Sequence, residues 1–441
     1  MLQHKGRSFF AAQWAGGVIL VLCVVVAMLL ANMDATREAY HHFLTSNLGI
    51  TVGPFDFEFD VEKFICDGLM MIFFFTVGLE IKREIKAGHL SSFKKAILPI
   101  AGAVGGMVVP ALIYSALNSG TEFQAGWGIP MATDIAFAIG ILSLVGDRVP
   151  VSLKVFLTAL AIVDDLGAII VIALFYGSQL NFGCLLAGFG VLLIAVILNK
   201  MKVYSYLPYI ILSIILWFLF YYSGVHATIA GVLMAMTIPS RPKYDKQYFT
   251  YKLKYFVEDF KLQDKENTEV LGNPQQFQVL NNISSLTLGT ASLAQRMEHL
   301  LNPFVTFFIM PVFALANSGV VIEQLNQLNI FATTQGLGIY LGLVLGKPIG
   351  ITLLSWLFVK IGLASKPEGT NWRTFFGVAC LGGIGFTMSI FIDTLAFAGN
   401  SLLIDDGKIA IFLASLSAAI LGSVLLCSKS KIKDKTIKNN Y

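Results

Sequence analysis

The sequence has few charged residues for its length. Of its 441 residues, 13% are charged and 56% are hydrophobic, whereas a soluble protein carries about 25% charged residues. This shortage excludes an ordinary soluble domain and places the chain in a membrane. Because the apolar runs are spread evenly, we expect one polytopic transmembrane domain over residues 1–441, with its core at about 10–427.

Residues that carry metal, redox or nucleotide chemistry are also scarce. The cysteines show no C-x-x-C spacing and are expected to be small core residues. The six histidines include no H-E-x-x-H pattern, which argues against a metalloenzyme. The chain has no G-x-x-x-x-G-K-[ST] motif, so nothing indicates ATP hydrolysis. We therefore expect no enzymatic activity, no cofactor and no nucleic-acid partner, and transport driven by an ion gradient.

Apolar segments predict an all-α polytopic membrane protein with about 12 transmembrane helices. The first segment, Trp14–Ala31, is too long for a signal-peptide core and is expected to be retained as a helix. The others lie at about 61–82, 96–117, 125–145, 151–176, 181–199, 205–222, 224–238, 303–319, 335–359, 372–395 and 405–427. Residues 34–62 are expected to form an external loop or a short hairpin.

The basic residues predict the orientation of these spans. If the N-terminus is cytoplasmic, 27 of the 31 Lys and Arg residues fall in inner segments, and three (Arg37, Lys63 and Lys408) fall in outer segments. Basic residues are enriched in cytoplasmic loops, so both termini are expected in the cytoplasm of a bacterium, with the chain in its inner membrane. Residues 428–441 then form a basic cytoplasmic tail.

One cytoplasmic loop, at about 240–300, is much longer than the others. Its first part, Tyr244–Glu269, mixes charged and aromatic residues and is expected to form a surface helix. Its second part is rich in Asn, Gln, Ser and Thr, which is typical of a flexible linker. The loop is either a plain insertion or a regulatory module.

Two adjacent carboxylates lie near the middle of an apolar run. Asp164 and Asp165 interrupt the run from Leu157 to Leu174, which is long enough to cross a bilayer. A charge at that depth costs at least about 2.5 kcal/mol. The pair is either a structural one, neutralised by a basic partner on another helix, or a cation or proton site. Asp134, thirty residues upstream in another apolar segment, favours a transporter core.

Two spans are expected to be broken. Gly128 and Pro130 interrupt span four, and Gly382, Gly383 and Gly385 interrupt span eleven. These spans run in opposite directions, each in the middle of three (spans 3–5 and 10–12), which is typical of inverted repeats with discontinuous, crossing helices. Glycines can also serve only for close packing.

The broken ends of such helices need compensating charges. Two N-terminal ends call for a carboxylate and two C-terminal ends for a cation, because each helix end carries roughly half a charge. Asp134 can supply the first. Lys347, in the middle of an apolar span, can supply the second or pair with Asp164. The alternative for Lys347 is a helix-end lysine that extends to water.

Several motifs follow one another along nearly all of the core: residues 132–138 (ATDIAFA), 161–167 (AIVDDLG), 225–231 (VHATIAG), 345–350 (LGKPIG) and 383–389 (GIGFTMS). In sequence and in order they resemble the motifs of the NhaA family of sodium/proton antiporters. The resemblance implies Asp164 and Asp165 as the sodium and proton site, with Thr133 beside it. It also implies Asp134 and Lys347 as compensators of the helix ends. Inverted repeats are known for this family.

The resemblance also implies a cytoplasmic pH-sensing region. The candidates are Glu80, Arg83, Glu84, His226, Glu298 and His299. The charged ones are otherwise ordinary interfacial residues, and His226 otherwise caps a short turn. The long loop at 240–300 and Asn302, where some relatives carry histidine, depart from the family pattern and bear on regulation.

The expected function is electrogenic, pH-regulated export of sodium, and also lithium, in exchange for protons. Its partners would be these ions and the bilayer, with residues 34–62 as a candidate homodimer hairpin. The alternative is a sodium-coupled symporter of an organic solute on a related fold. An intramembrane aspartyl protease is disfavoured, because the chain lacks the G-x-G-D motif.

Overall fold

The computed structural model describes residues 13–52, 55–177, 180–264, 272–321 and 333–428. The basic tail predicted at 428–441 lies, apart from Ser428, outside the described residues. The helices are α1 (Gln13–Asn32), α2 (Arg37–Thr45), α3 (Val61–Lys63), α4 (Met70–Ala87), α5 (Phe93–Asn118), α6 (Ile135–Val145), α7 (Val151–Phe175), α8 (Phe182–Lys200), α9 (Tyr206–Ser223), α10 (Ala227–Thr237), α11 (Lys246–Leu262), α12 (Pro274–Thr290), α13 (Leu293–Phe304), α14 (Met310–Asn317), α15 (Thr334–Leu341), α16 (Lys347–Lys360), α17 (Trp372–Gly382), α18 (Phe386–Ala396) and α19 (Ser401–Cys427).

Other helical segments join or precede some of these helices. A 3₁₀ helix at Glu122–Met131 precedes α6, and another at Gly146–Arg148 follows it. Turns of π-helix occupy Phe64–Leu69, Val305–Ile309 and Gly342–Gly346, and each continues directly into an α-helix. Turns of π-helix are rare in proteins, and those that occur often lie at functional sites.

The apolar helices confirm a polytopic membrane protein. Among the described residues, nine helical stretches are long and apolar enough to cross a membrane. Two further pairs, the 3₁₀ helix with α6 and α17 with α18, form bent spans with angles of 43° and 46°. The shorter apolar helix α10 coincides with the predicted segment 224–238. The predicted total of twelve spans and their orientation stay predictions.

The described residues form two compact units. The first contains residues up to His41, Ser92–Ala168 and the chain from Asn317 onwards, so it holds both bent spans. In this unit α5 packs along α16, and the backbones nearly touch at two glycines: a Cβ on Gly105 would lie 2.1 Å from the Gly350 carbonyl oxygen. Close approach of this kind is how small residues pack membrane helices.

The core of the first unit includes four side chains of α7. Its other buried side chains come mainly from α5, α6, α16, α17, α18 and α19. The rings of Phe156 and Phe375, for example, lie 4.7 Å apart between centroids. Packing of this density holds α7 in one position, which matters because α7 carries Asp164 and Asp165.

The second unit contains His42–Ser91 and Ile169–Ala316. Its α10 packs closely on α4, where a Cβ on Gly231 would lie 2.3 Å from the Met71 carbonyl oxygen. Lys82 of α4 donates hydrogen bonds to three carbonyl oxygens at the end of α10, those of Ala235, Met236 and Ile238. This buried lysine neutralises the negative end of the helix.

Besides its helices, the described part of the chain contains one β-hairpin. Strands β1 (Asn47–Val52) and β2 (Phe55–Asp60) pair antiparallel, with Asn47 opposite Asp60 and Val52 opposite Phe55. A short hairpin was one of the two predictions for residues 34–62, so that alternative is confirmed.

The prediction of a flexible linker in the second part of the long loop is wrong. Residues 274–290 form the helix α12, which packs against α11, the surface helix predicted before it. Asn273 caps α12 by accepting hydrogen bonds from two backbone N–H groups, and Pro274 occupies its first turn. Val279 and Leu286 are buried. Polar composition alone did not indicate that these few apolar residues share one face.

The predicted start of the ninth span is also wrong. The helical stretch begins at Leu293, ten residues before the predicted position 303. Ser292 and Gln295 form a capping box there, which satisfies backbone N–H groups at the helix start. The two charged residues in this first part, Arg296 and Glu298, lowered the local hydropathy and hid the boundary.

Candidate ion site at two broken helices

The two bent spans contact each other at their breaks. In the first, the 3₁₀ helix ends at Met131, Ala132 is extended, and α6 begins after Asp134. In the second, α17 ends at Gly382 and α18 begins at Phe386. The Asp134 N–H donates to the Ile384 carbonyl oxygen across the contact, at 2.7 Å. Four helix ends therefore meet in one small region.

Asp134 lies at the two N-terminal ends. Its Oδ1 accepts a hydrogen bond from the Phe137 N–H of α6 at 3.0 Å. Its Oδ2 accepts from Thr387 of α18, from the N–H at 3.2 Å and from the hydroxyl at 2.5 Å. One carboxylate thus binds the first turns of both helices, where the partial charge of each helix is positive.

Lys347 lies at a C-terminal end. Its side chain is fully buried, and its ammonium group donates to the Met131 carbonyl oxygen, the last residue of the 3₁₀ helix. The same ammonium donates to Asp164 Oδ2 at 2.7 Å. The sequence left open whether Lys347 faces a helix end or pairs with Asp164, and the structure brings it to both.

Thr133 connects the breaks to Asp164. Its hydroxyl oxygen lies 2.6 Å from Asp164 Oδ2 and 2.9 Å from the carbonyl oxygen of Gly382, the last residue of α17. A hydroxyl has one proton to donate, so it serves one of these two acceptors at a time. A change in the charge of Asp164 is therefore expected to change which of the two oxygens accepts the Thr133 hydrogen bond.

Asp164 and Asp165 lie on α7 with side chains 1% and 3% exposed. Asp164 Oδ2 is bound by Lys347 and Thr133, while its Oδ1 has no hydrogen-bond partner among the described residues. Carboxylate, hydroxyl and carbonyl oxygens are thus grouped at the break. Such hard oxygen ligands suit a small hard cation, and sodium is one.

The glycines of span eleven serve close packing. A Cβ on Gly383 would lie 2.4 Å from the Leu343 carbonyl oxygen in the π-helical turn before Lys347. A Cβ on Gly385 would lie 2.0 Å from the Ser389 hydroxyl oxygen, whereas one on Gly382 would meet only the tip of Ile351 at 3.0 Å. None of the three has a positive φ. The close packing places the break of this span against the turn that carries Lys347.

Three of the pH-sensing candidates form an ion cluster with Arg83 in the second unit. Arg83 on α4 donates to Glu298 on α13, and its second terminal nitrogen lies 3.1 Å from Glu84 and 3.5 Å from Glu80. Glu298 is buried, while the Arg83 side chain is 40% exposed. One guanidinium therefore links α4 to α13 and is shared by three carboxylates.

The two histidine candidates have different surroundings. His299 is exposed at the surface of α13. His226 is half-buried, and its Nε2 lies 2.5 Å from the Tyr176 carbonyl oxygen. It occupies the position before α10, and its side chain makes no capping hydrogen bond to that helix.

Sequence reasoning missed two polar residues with buried contacts. Thr387 was not singled out, although it binds Asp134 through both its N–H and its hydroxyl group. Lys82 was not singled out either, although it is buried against the end of α10. The position of Thr387, two residues after the last glycine of the break, could have indicated its role. The sequence around Lys82 gave no such indication, because its partner Ala235 lies 153 residues away.

The sequence of this chain matches known proteins along nearly its whole length. The family model described as "Na+/H+ antiporter 1" matches residues 7–426. The chain is 48% identical over 420 residues to the Na(+)/H(+) antiporter NhaA of Sulfurimonas denitrificans, covering 95% of this chain and 94% of that protein. It is 47% identical to the protein of that name from Oleidesulfovibrio alaskensis, over 95% and 93%. For Wolinella succinogenes the identity is 44%, over 97% and 94%. The chain therefore belongs to the Na+/H+ antiporter 1 family.

Proposed function

We propose that this chain is a secondary transporter that exports sodium, and also lithium, in exchange for protons. The observation that carries the proposal is the arrangement at the breaks. Asp164 is held between Lys347 and Thr133, beside carbonyl oxygens of two interrupted helices. The names of the similar proteins, which state sodium/proton antiport, support the same conclusion.

The exchange follows from competition for the same oxygen atoms. A proton on Asp164 or Asp165 removes the negative charge that a sodium ion needs, and a bound sodium ion excludes the proton. Lys347 takes part, because its ammonium group occupies Asp164 Oδ2 and a cation must displace or share that contact. Sodium binding and proton binding at these three groups are therefore coupled.

The broken helices are proposed to be the elements that move when the transporter converts between inward-open and outward-open states. If only a loaded site can change sides, each sodium ion leaving is matched by proton entry. We propose that spans 3–5 and 10–12 form inverted repeats, with Asp134 and Lys347 compensating the crossing helix ends. An exchange that moves net charge gains about 2.3 kcal/mol per charge per 100 mV of membrane potential.

The setting proposed for this activity is a bacterial inner membrane. The excess of basic residues in inner segments supports cytoplasmic termini and twelve spans. The hairpin β1–β2 is proposed as the contact of a homodimer. The cluster of Glu80, Arg83, Glu84 and Glu298 is proposed to regulate exchange by pH, with His226 and His299 as further candidates, because it joins two helices through groups that titrate.

The test is a flux measurement with the purified protein in vesicles and no organic solute present. Sodium added to one side should release protons on the same side, and lithium should do so as well. A sodium-coupled symporter would take up sodium only when its organic solute is added, and it would release no protons in exchange. Absence of sodium-dependent proton movement under all gradients would refute the proposal.

A further inference from the structure

Asp393 is a fully buried carboxyl group that the exchange mechanism above does not use. It lies near the end of α18 and has no exposed surface. Neither of its two oxygens has a hydrogen-bond partner among the described residues. A carboxylate that makes no hydrogen bond adds nothing to stability through its polar atoms, and burying it as an anion is costly. Its presence therefore needs a reason other than packing.

The carboxyl group faces the backbone of α19. A Cβ on Gly407 would lie 2.3 Å from Asp393 Oδ1 and 2.5 Å from Oδ2, so only a glycine leaves room for the carboxyl group there. Gly407 is flanked by Asp406 and Lys408, and Lys408 Nζ lies 3.8 Å from Asp405 Oδ1. These three charged groups lie within electrostatic range of Asp393. The 3₁₀ helix that also packs on α18 has one ionisable residue, Glu122, which is exposed.

Two carboxyl groups, those of Asp393 and Asp405, lie close enough to Lys408 to attract its ammonium group. Its side chain is only 7% exposed, and the structure pairs it with Asp405 rather than with Asp393. An ionised Asp393 would attract the ammonium group, since opposite charges in a buried region interact strongly. A protonated Asp393 leaves Lys408 with Asp405, as observed. The geometry of the cluster is therefore that expected for a neutral, proton-carrying Asp393.

Asp393 also lies on the same helix as the ion site. It is six residues after Thr387, which binds Asp134, so the two positions are about 9 Å apart along the axis of α18. The intervening helix runs from the breaks to the end where α18 meets the start of α19. Buried ionisable groups placed in this way mark proton pathways in membrane proteins.

We propose that Asp393 is a second proton-binding site, which takes a proton from the external side and passes it towards the Asp164–Asp165 site. This inference rests on the proposed exchange of sodium for protons and on the proposed orientation. The step is a proton transfer: an O–H bond of an external water molecule breaks, leaving hydroxide outside, and an O–H bond to Asp393 forms. That bond then breaks as an O–H bond forms at the Asp164–Asp165 site, Asp393 returns to its carboxylate form, and the proton leaves by the inner side. Lys408 moves between Asp405 and Asp393 as the charge on Asp393 changes.

The first test observes the proton directly and needs no transport. Infrared difference spectra of the purified protein should show a protonated-carboxyl band at neutral pH. Asp393→Asn should lose this band, and the control Asp34→Asn, at an exposed position after α1, should keep it. Lys408→Gln should retain the band to a pH about one unit higher or more, because the neighbouring positive charge is gone. A band that is identical in the wild type and Asp393→Asn would overturn the proposal.

The second test measures sodium efflux from right-side-out vesicles, with internal pH and membrane potential clamped and external pH varied. Asp393→Asn should slow efflux on the order of tenfold or more at alkaline external pH, where protons are scarce. Half-saturating internal sodium should be unchanged, and the exposed-site control Asp34→Asn should behave as the wild type. Equal external-pH profiles for the wild type and Asp393→Asn would overturn the proposal.

The two tests separate this inference from the proposed function. If the wild type itself moves no sodium, the proposed exchange fails, while the infrared band still decides whether Asp393 holds a proton. If Asp393→Asn does not insert into the membrane, the infrared band of Lys408→Gln tests the proposal instead. Its band must then persist to higher pH than in the wild type, and an unshifted band overturns the proposal.

Discussion

The ammonium group of Lys347 lies 2.7 Å from Asp164 Oδ2, and both side chains are almost wholly buried. The same ammonium binds the Met131 carbonyl oxygen at the end of the first broken helix. One positive charge therefore compensates both a helix end and a candidate ion ligand. Any cation that binds Asp164 must change this contact, which links ion binding to the position of the broken helix.

Asp165→Asn is expected to abolish exchange while leaving the protein inserted, because an amide cannot carry the charge that a sodium ion neutralises. Sodium-dependent proton movement in everted vesicles is the measurement. Asp34→Asn, at an exposed position after α1, is the control and should exchange normally. Normal activity of Asp165→Asn would remove Asp165 from the proposed site.

Asp164→Asn is expected to abolish exchange and also to lower the free energy of unfolding. Removing one partner of a buried ion pair costs about 3–5 kcal/mol, because Lys347 keeps its charge without a counter-charge. Thermal unfolding in detergent measures this loss. Adding Lys347→Met should recover most of the stability but none of the exchange. A double variant as unstable as Asp164→Asn alone would show that the pair is not the source of the loss.

Apparent sodium affinity is expected to weaken as pH falls, because protons occupy the carboxylates that sodium needs. Each competing proton should raise half-saturating sodium about tenfold per pH unit on the acid side, and tenfold corresponds to about 1.4 kcal/mol. Two competing protons would give a steeper slope. Half-saturating sodium should be measured in everted vesicles from neutral to alkaline pH. Constant affinity with a changing maximal rate would instead assign control to the Arg83–Glu298 cluster.

Deleting residues 245–290 should leave transport working. The chain enters and leaves this insertion at neighbouring points: the Lys243 N–H donates to the Gly289 carbonyl oxygen at 2.8 Å, and the Ala294 N–H donates to the Pro239 carbonyl oxygen at 3.1 Å. The shortened connection can therefore close without moving α10 or α13. Sodium-dependent proton movement should be compared with that of the full chain. A correctly inserted but inactive deletion would make α11 and α12 part of the transport machinery.

Gly383→Ala is expected to lower the free energy of unfolding by about 1–3 kcal/mol, since its Cβ would lie 2.4 Å from the Leu343 carbonyl oxygen. Gly382→Ala is the matched control, because its Cβ would contact only the end of the flexible Ile351 side chain. The measurement is the thermal unfolding midpoint of both variants. Equal midpoints would mean that the break of span eleven can move away from the Lys347 turn without cost.

The sequence alone singled out four ionisable residues that the structure buries. A charged residue inside an apolar run can be recognised from the run itself. Burying a charge in hydrocarbon is costly, so Asp134, Asp164, Asp165 and Lys347 could each be identified before any partner was known. The interruptions of spans four and eleven were equally local, since Gly and Pro disrupt helices wherever they stand. The bends at these positions confirm both interruptions.

Only the tertiary structure decided which groups meet. Asp134 binds Thr387, 253 residues away, and Lys347 binds Met131 and Asp164, 216 and 183 residues away. Contacts at such separations depend on how whole helices pack, and hydropathy does not contain that information. The same reason explains the burial of Lys82 and the isolation of Asp393, whose environment is set by the backbone of α19 at Gly407. A charge can be located from its own span, but its partner is chosen by the fold.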